Sequence, residues 1–575
     1  QTLKYESEQP NSLYDPNGSF QSINRRYDIV YGDVMLNFNY NINRFDIAAT
    51  VGWTGRYENM NNMRVSTNGG LVTENWFDLN ASRYTPSSTL QRMELLKTGY
   101  MGTLSLGWDN YLFLELTGRQ ERSSTLKDQS FFYPSANLSF LFTQAFHMPS
   151  WWNYGKLRLS YGIVGNAPET YTANIVYEQG SDNGFTWNTI PSSWGNADIR
   201  PEKKYEYEIG LESKFLNNRL GIDISYYNNR VKDQILSTPQ PSTSGVKNVL
   251  MNVGEVANRG WDISISATPI LTRDFRWDLT ANYGVYKNKV VKLADGVPYL
   301  EILNSGGSGI KIQAVEGQPM GDIYAQVPQV NENGEYLVSD KGLYLNQTEL
   351  QKVGNINPAG VGGLFNSFSY KNVFLDFSID FRIGGDVINE MNQYATAVGL
   401  TPESLKYRDT EHGGLSYYYP GDNNSSGIPV QVDPSTGAGP NGEIIYHDGI
   451  ILPGVVASTG ERNTRIIPAG YYYNTTYNWG TEAEQLTYRH SVFDNSYVKL
   501  RELTIGYQFP EKMISKLGLG RLSVSVFGRN LFYFYKALKN YDAESSVGTS
   551  WANQATVGSS TTATRSFGVS LRASF

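Results

Sequence analysis

The sequence predicts an all-β chain, a transmembrane antiparallel β-barrel with about fifteen strands visible in its 575 residues. Three observations predict it. Apolar and polar residues alternate with period two along the whole length, the mark of strands with one apolar and one polar face. The connections between the alternating segments switch between brief and extended. Aromatic residues make up 13% of the chain and charged residues only 18%, yet no apolar run approaches the ~18–20 residues of a spanning helix.

Taken in chain order, the alternation marks strands over 33–42, 45–54, 99–108, 111–120, 132–142, 155–164, 205–215 and 219–229. It continues over 254–268, 274–287, 362–370, 372–382, 495–508, 519–528 and 564–575. Most are near the ~9–11 residues of a tilted membrane-spanning strand. Phe45, Ile47, Ala49, Val51 and Trp53, for example, interleave with Asp46, Ala48, Thr50, Gly52 and Thr54. In 495–508 the apolar phase runs through Val498 and Leu500 and then shifts to Leu503, Ile505 and Tyr507, which predicts a β-bulge near Arg501-Glu502.

The brief connections are Asn43-Arg44, Asp109-Asn110, Leu216 to Asn218, Pro269 to Arg273 and Lys371, with somewhat longer turns at 143–154 and 509–518. Extended ones cover 55–98, 121–131, 165–204, 230–253, 288–361, 383–494 and 529–563. Short turns at one end and long loops at the other are what outer-membrane barrels show. A barrel of this many strands is too wide for side chains to fill, so the polar set is expected to line water and the apolar set to meet lipid. Tyr40, Trp53, Trp108, Tyr226, Trp277 and Tyr507, near strand ends, would form the interfacial girdles. Fifteen is odd and bacterial single-chain barrels are even. At least one strand is therefore expected before residue 1, unless 1–32 contains it.

The formal net charge is −7, from 48 basic and 55 acidic residues, and no polybasic stripe offsets it, so no nucleic-acid partner is expected. Zero cysteines exclude disulfides, thiolate zinc sites and cysteine nucleophiles. The four histidines, His147, His412, His447 and His490, are scattered without a metal-binding spacing. No nucleophile elbow or phosphate-binding glycine loop is present, so no catalytic residues and no required cofactor are expected. Asp422, Asn424 and Ser426, with Gly427 and then Asp433, follow the spacing of an EF-hand-type calcium loop, although the last ligand is not Glu and no helices flank it. An Asx-rich surface turn is the alternative. The long loops carry clustered rings, Trp187 and Trp194, Tyr417, Tyr418 and Tyr419, and Tyr471, Tyr472 and Tyr473. These are candidate substrate-binding platforms, or the core of a loop rim.

Several stretches resemble one family. They are Lys-Leu-Arg-Leu-Ser-Tyr-Gly-Ile-Val-Gly-Asn (156–166), Arg-Pro-Glu-Lys-Lys (200–204) leading to Glu-Ile-Gly-Leu-Glu (208–212), and Asn-Val-Gly-Glu-Val-Ala-Asn-Arg-Gly (252–260). Tyr-Lys-Asn from Tyr370, Gly-Gly-Asp-Val from Gly384, Tyr-Val-Lys-Leu-Arg-Glu-Leu-Thr-Ile-Gly-Tyr from Tyr497 and Gly-Arg-Asn-Leu-Phe from Gly528 follow in order. Together they resemble the SusC/RagA-type TonB-dependent transporters of Bacteroidetes outer membranes. The resemblance implies a barrel of about 22 strands with a plugged lumen, a SusD-like surface lipoprotein partner, coupling to TonB, and import of glycans or oligopeptides. Against that pattern, no plug and no TonB-contacting segment is present, so 1–575 reads as the C-terminal part of such a barrel. At Tyr541-Asp-Ala-Glu the family often has Pro where Ala543 stands. The last strand, with Ser566, Gly568, Leu571, Ala573 and Phe575, resembles a barrel-assembly signal.

The function expected from the sequence is therefore active outer-membrane import of oligomeric nutrients, embedded in outer-membrane lipid. The alternative is a passive pore or adhesin-like surface barrel.

Overall fold

The computed structural model describes residues 2–7, 17–127, 130–182, 185–240, 243, 245–305, 309–421, 427–478, 487–546, 548, 550–557 and 563–574. Sixteen of the described strands form one sheet, each hydrogen-bonded to its neighbours in chain order. They are β1 (Thr2–Ser7), β2 (Ser19–Ile42), β3 (Phe45–Leu71), β4 (Ser82–Trp108), β5 (Leu112–Ser123), β6 (Ser130–Phe140), β7 (Trp152–Asn166) and β8 (Glu202–Phe215). The series continues with β9 (Leu220–Lys232), β10 (Glu255–Leu271), β11 (Phe275–Lys292), β12 (Gly360–Tyr370), β13 (Val373–Ile383), β14 (Tyr497–Gln508), β15 (Arg521–Lys536) and β16 (Ser566–Ser574). The chain divides into two compact units, one built from residues 1–148, 155–211 and 227–257, the other from 149–154, 212–226 and 258–575.

In the first unit β1 to β7 pair antiparallel. The turns that join them carry residues suited to left-handed backbone, Asn43 (φ 51°), Asp109 (φ 53°) and Asn110 (φ 58°), which lets strands reverse within two or three residues. Cross-strand register puts like with like. One face holds Leu36 opposite Val51, Phe38 opposite Ala49 and then Leu104, and Tyr40 opposite Ile47 and then Leu106. The other holds Asn37 opposite Thr50 and then Thr103, and Asn41 opposite Asp46. The apolar face is uncovered, with Leu36 74% exposed. It runs from Val30 to Ile42 in β2, ~40 Å of strand, which at a ~45° tilt spans about the ~25 Å apolar band of an outer-membrane protein.

The same parity governs the second unit, where β11 to β16 pair antiparallel. Leu375, Ile505, Val526 and Val569 follow one another across β13 to β16 on the apolar face. Asp376 and Thr504 sit opposite each other on the polar one. The expected bulge is present: Ser378 pairs with Glu502 and Ile379 with Leu500, so Arg501 is the extra residue. Without it, Glu502 and Thr504 would turn to the apolar face and Leu503 and Ile505 to the polar one. Of the expected girdle, Tyr40, Trp53, Trp108 and Tyr507 are exposed on the apolar side. Trp277 stacks on Phe368 at 5.4 Å and Tyr226 packs against Trp261 at 4.9 Å.

The described sheet has sixteen strands: beside the fifteen marked, the short β1, within 1–32, pairs with the start of β2. Two expectations need correction. The segment 55–98 is not an extended loop: β3 and β4 are each 27 residues long and pair far beyond the apolar band, leaving only 72–81 as the tip. At ~3.3 Å per residue each strand reaches ~90 Å. Beyond the band both faces carry polar side chains, as at Glu58, Asn59, Asn61 and Asn62, so backbone pairing persists without any alternation to announce it. Finally, the loop expected from 529 begins only after Lys536, where β15 ends.

Leu36 lies at the middle of the apolar band. Replacing it with Arg should destabilise the full-length protein folded into lipid bilayers by about 2–4 kcal/mol, whereas Asn37→Arg on the opposite face should cost under ~1 kcal/mol. Denaturant unfolding monitored by tryptophan fluorescence reads both; equal costs would contradict the assignment of faces.

Candidate functional site: the long loops and the polar face

The polar strand faces carry shallow depressions near their short-turn ends. In the first unit the polar groups of Asn39, Asn41, Asp46, Glu115 and Asn137, together with apolar surface that includes Phe113, line one of about 650 Å³. In the second, Asp376, Glu502, Thr504, Arg521 and Arg572 line one of about 520 Å³. Such walls of amide, hydroxyl and carboxylate groups solvate polar ligands, and charges on them are often neutralised locally. Arg56 binds Glu58 at 2.6 Å and Arg119 binds Glu121 at 2.9 Å, each pair two residues apart on one strand face.

In the loops of the first unit, the hairpin of Glu178–Asp182 and Phe185–Thr189 presents Trp187, 46% exposed. Its indole lies over Gly180, where a Cβ would come within 2.7 Å of the ring. Trp194 is half-buried and meets Tyr177 edge-on at 6.0 Å. Phe185, two residues before Trp187 on the same strand, is exposed as well. The loops are held beneath by a small cluster of Leu126, Phe131, Ala173 and Ile199.

In the second unit the long loops fold on one another. Tyr417 is only 1% exposed: Tyr446 stacks on it at 5.5 Å, Tyr419 meets it edge-on at 5.5 Å, and its hydroxyl donates to Asp448 Oδ1 at 3.1 Å. Tyr419 is buried in the same cluster with Ile466, and Tyr418 is half-buried. The helix Ala469–Tyr477 directs Tyr471 and Tyr472 against Leu343, Ile450, Leu452 and Ile467. Tyr473 is buried and its hydroxyl donates to the carbonyl of Glu403 at 2.9 Å. These rings therefore form the interior of a packed rim, with Trp187 as the most open of the sequence-identified platforms. At the end of the helix Tyr477 stacks on His490 at 4.3 Å, and burial, reinforced by Arg489, pushes the imidazole down to about 4.

Of the calcium-like loop, Asp422, Asn424 and Ser426 lie outside the described residues. Asp433 is described, and its carboxylate accepts from the backbone N–H of Ser435 at 2.9 Å and from its hydroxyl at 2.5 Å, an Asx turn. No group of three His, Cys, Asp or Glu side chains is placed to hold a metal among the described residues. Nearby, Glu443 is buried and accepts from the N–H groups of Asn441 at 2.8 Å and Gly421 at 3.2 Å. Those bonds hold its carboxyl down at about 2.

Sequence reasoning missed a charged cluster on the polar face of the second unit. Lys499, 1% exposed, donates to Glu544 Oε2 at 2.6 Å and sits 4.7 Å over the ring of Tyr533. Arg501, on the bulge, grips Glu544 through both terminal nitrogens, at 2.8 and 2.5 Å, and Asp380 at 2.5 Å. Burial works against the Glu544 charge, but the hydrogen bonds from Arg501 and Lys499 outweigh it and hold the carboxyl at about 2. The shift of phase at Arg501 was the available signal; the partner at Glu544 is far away in sequence and left none.

Two outcomes follow from the packing of the rim. Tyr417→Ala should lower the local stability of its loop by about 3 kcal/mol, read as faster hydrogen exchange at Tyr446 to Ile450, while Trp187→Ala leaves exchange in the first unit's loops nearly unchanged. Because the Glu443 carboxyl lies below its ordinary 4.5, its contribution to holding Gly421 and Asn441 is complete above that pH. It is lost progressively as the pH falls toward about 2. Amide protection at Gly421 and Asn441 checks it, and Glu443→Gln should remove the pH dependence.

A family model described as TonB dependent receptor-like, beta-barrel matches residues 1–329. TonB-dependent receptor P3 of Formosa agariphila is 24% identical over 494 residues, covering 78% of this chain and 42% of the relative. TonB-dependent receptor SusC of Bacteroides thetaiotaomicron is 30% identical over 247 residues, covering 40% of this chain and 24% of the relative. The chain thus spans less than half the length of these curated relatives. Among solved structures, that of the RagAB peptide transporter superposes with a TM-score of 0.67 at 18% identity, over 94% of this chain and 55% of that one. With its alternating strands, its exposed apolar face and the family match over more than half its length, the chain belongs to the TonB-dependent receptor-like β-barrel family of Gram-negative outer membranes.

Proposed function

We propose that the chain is the barrel portion of an active importer of oligomeric nutrients, glycans or oligopeptides, driven through TonB and working with a SusD-like surface lipoprotein. The observation that carries this reading is the division of labour within the strands and loops. An amide-, hydroxyl- and carboxylate-lined polar face offers a path for a hydrated ligand, and the loops present open aromatic rings in the first unit and a packed rim in the second. Trp187, with the exposed Phe185 on the same strand, is the platform best placed to stack on a sugar ring or to meet a protein partner. Relatives named TonB-dependent receptor and SusC support energised transport over a passive pore. Contact with TonB would be made by a plug segment outside this chain. Nothing in the reading calls for catalysis or a resident cofactor.

The full-length protein purified from native outer membranes should bring down a surface lipoprotein and an oligomeric ligand, both identified by mass spectrometry. Trp187→Ala should weaken one of the two about tenfold, ~1.4 kcal/mol. Recovery with neither would favour a passive or adhesive barrel.

A further inference from the structure

The Lys499, Arg501 and Asp380 cluster lies on a strand face, yet the group that completes it comes from a loop. Residues 537–557 leave β15 and are pinned near both ends by apolar contacts. Leu538, 2% exposed, packs with Val387 and Val557, and Ala552 and Ala555 enter the cluster around Ile312 and Ile388. Between these anchors Tyr541 packs against the Leu538 cluster and Ala543 is buried, and polar contacts hold the rest. Lys536 Nζ donates to the Tyr541 carbonyl at 2.7 Å, the Tyr533 hydroxyl donates to Asp542 at 3.0 Å, and Asn495 Nδ2 donates to the Ala543 carbonyl at 2.9 Å. Glu544 is the one carboxylate of the segment that reaches both strand cations.

We propose that residues 540–546 form a strap across the polar face of β13 to β15, latched by the Glu544 carboxylate on Lys499 and Arg501. The wall half of the latch is built to persist when the strap leaves. Asp380 fixes the Arg501 guanidinium independently, and Arg501, two residues on from Lys499, shares its polar face. The two-pronged Arg501 grip gives the closed position a defined geometry. Lys499, by contrast, is buried with Glu544 as its counter-ion, and an ammonium left without one is costly unless water reaches it. Release of the strap therefore opens this part of the polar face to solvent. Under the transport reading the strap gates the path, but its motion is measured without transport and stands or falls separately.

Hydrogen exchange of the full-length protein tests the latch. In Glu544→Gln the amides of 540–546 should exchange at least tenfold faster, with β13 and β14 unchanged. Arg501→Lys, which keeps the charge and loses the fork, should give a smaller acceleration confined to the same segment, and it serves if the first variant assembles poorly. Unchanged exchange at 540–546 would overturn the proposal. So would acceleration spread evenly through β13 to β15, since the cluster would then be holding the wall rather than the strap.

Discussion

Half of every membrane-spanning strand has no protein over it. Leu36, Phe38 and Tyr40 in one unit, and Val526, Val569 and Leu571 in the other, form continuous apolar rows that are stable only against hydrocarbon. This fixes the parity of each strand, because a slip of one residue would move Asn37 or Asp376 into lipid and bury nothing in return. Turn placement, register and the bulge all serve that one requirement.

Arg501 shows how the constraint and the chemistry meet. The added residue lets Lys499, Arg501, Glu502 and Thr504 all serve the polar side while Leu503 and Ile505 return to the apolar one. A defect in pairing thereby concentrates charge at one place on the wall, and the loop beyond β15 supplies the counter-ion. The loops themselves follow the ordinary rules of water-soluble cores: Tyr417, Tyr419 and Tyr473 are interior groups with their hydroxyls or rings satisfied by neighbours.

Fifteen strands were legible because alternation is dictated by a lipid face and a wet face, and the bulge was legible as a break in that rhythm. The outer reaches of β2 to β4 were not, since polar side chains occupy both faces from Glu58 to Asn62 and no apolar alternation marks the strand. The six residues of β1 were too few to carry a pattern. Aromatic clusters were visible in the loops, but their fates were not: Trp187 stays open on a local hairpin, while Tyr417 is buried by partners further along the chain such as Tyr446 and Ile466. The Lys499–Glu544 pair is of the same kind.

The central claim, that alternate residues of one strand face water and lipid, has a direct measurement. The chain contains no cysteine, so single cysteines placed in turn from Val34 to Ile42 in the full-length protein report on their own positions. A membrane-impermeant thiol reagent applied to purified protein in lipid bilayers open on both sides should label positions 35, 37, 39 and 41 and spare 34, 36, 38, 40 and 42. Uniform labelling, or the opposite phase, would contradict the account.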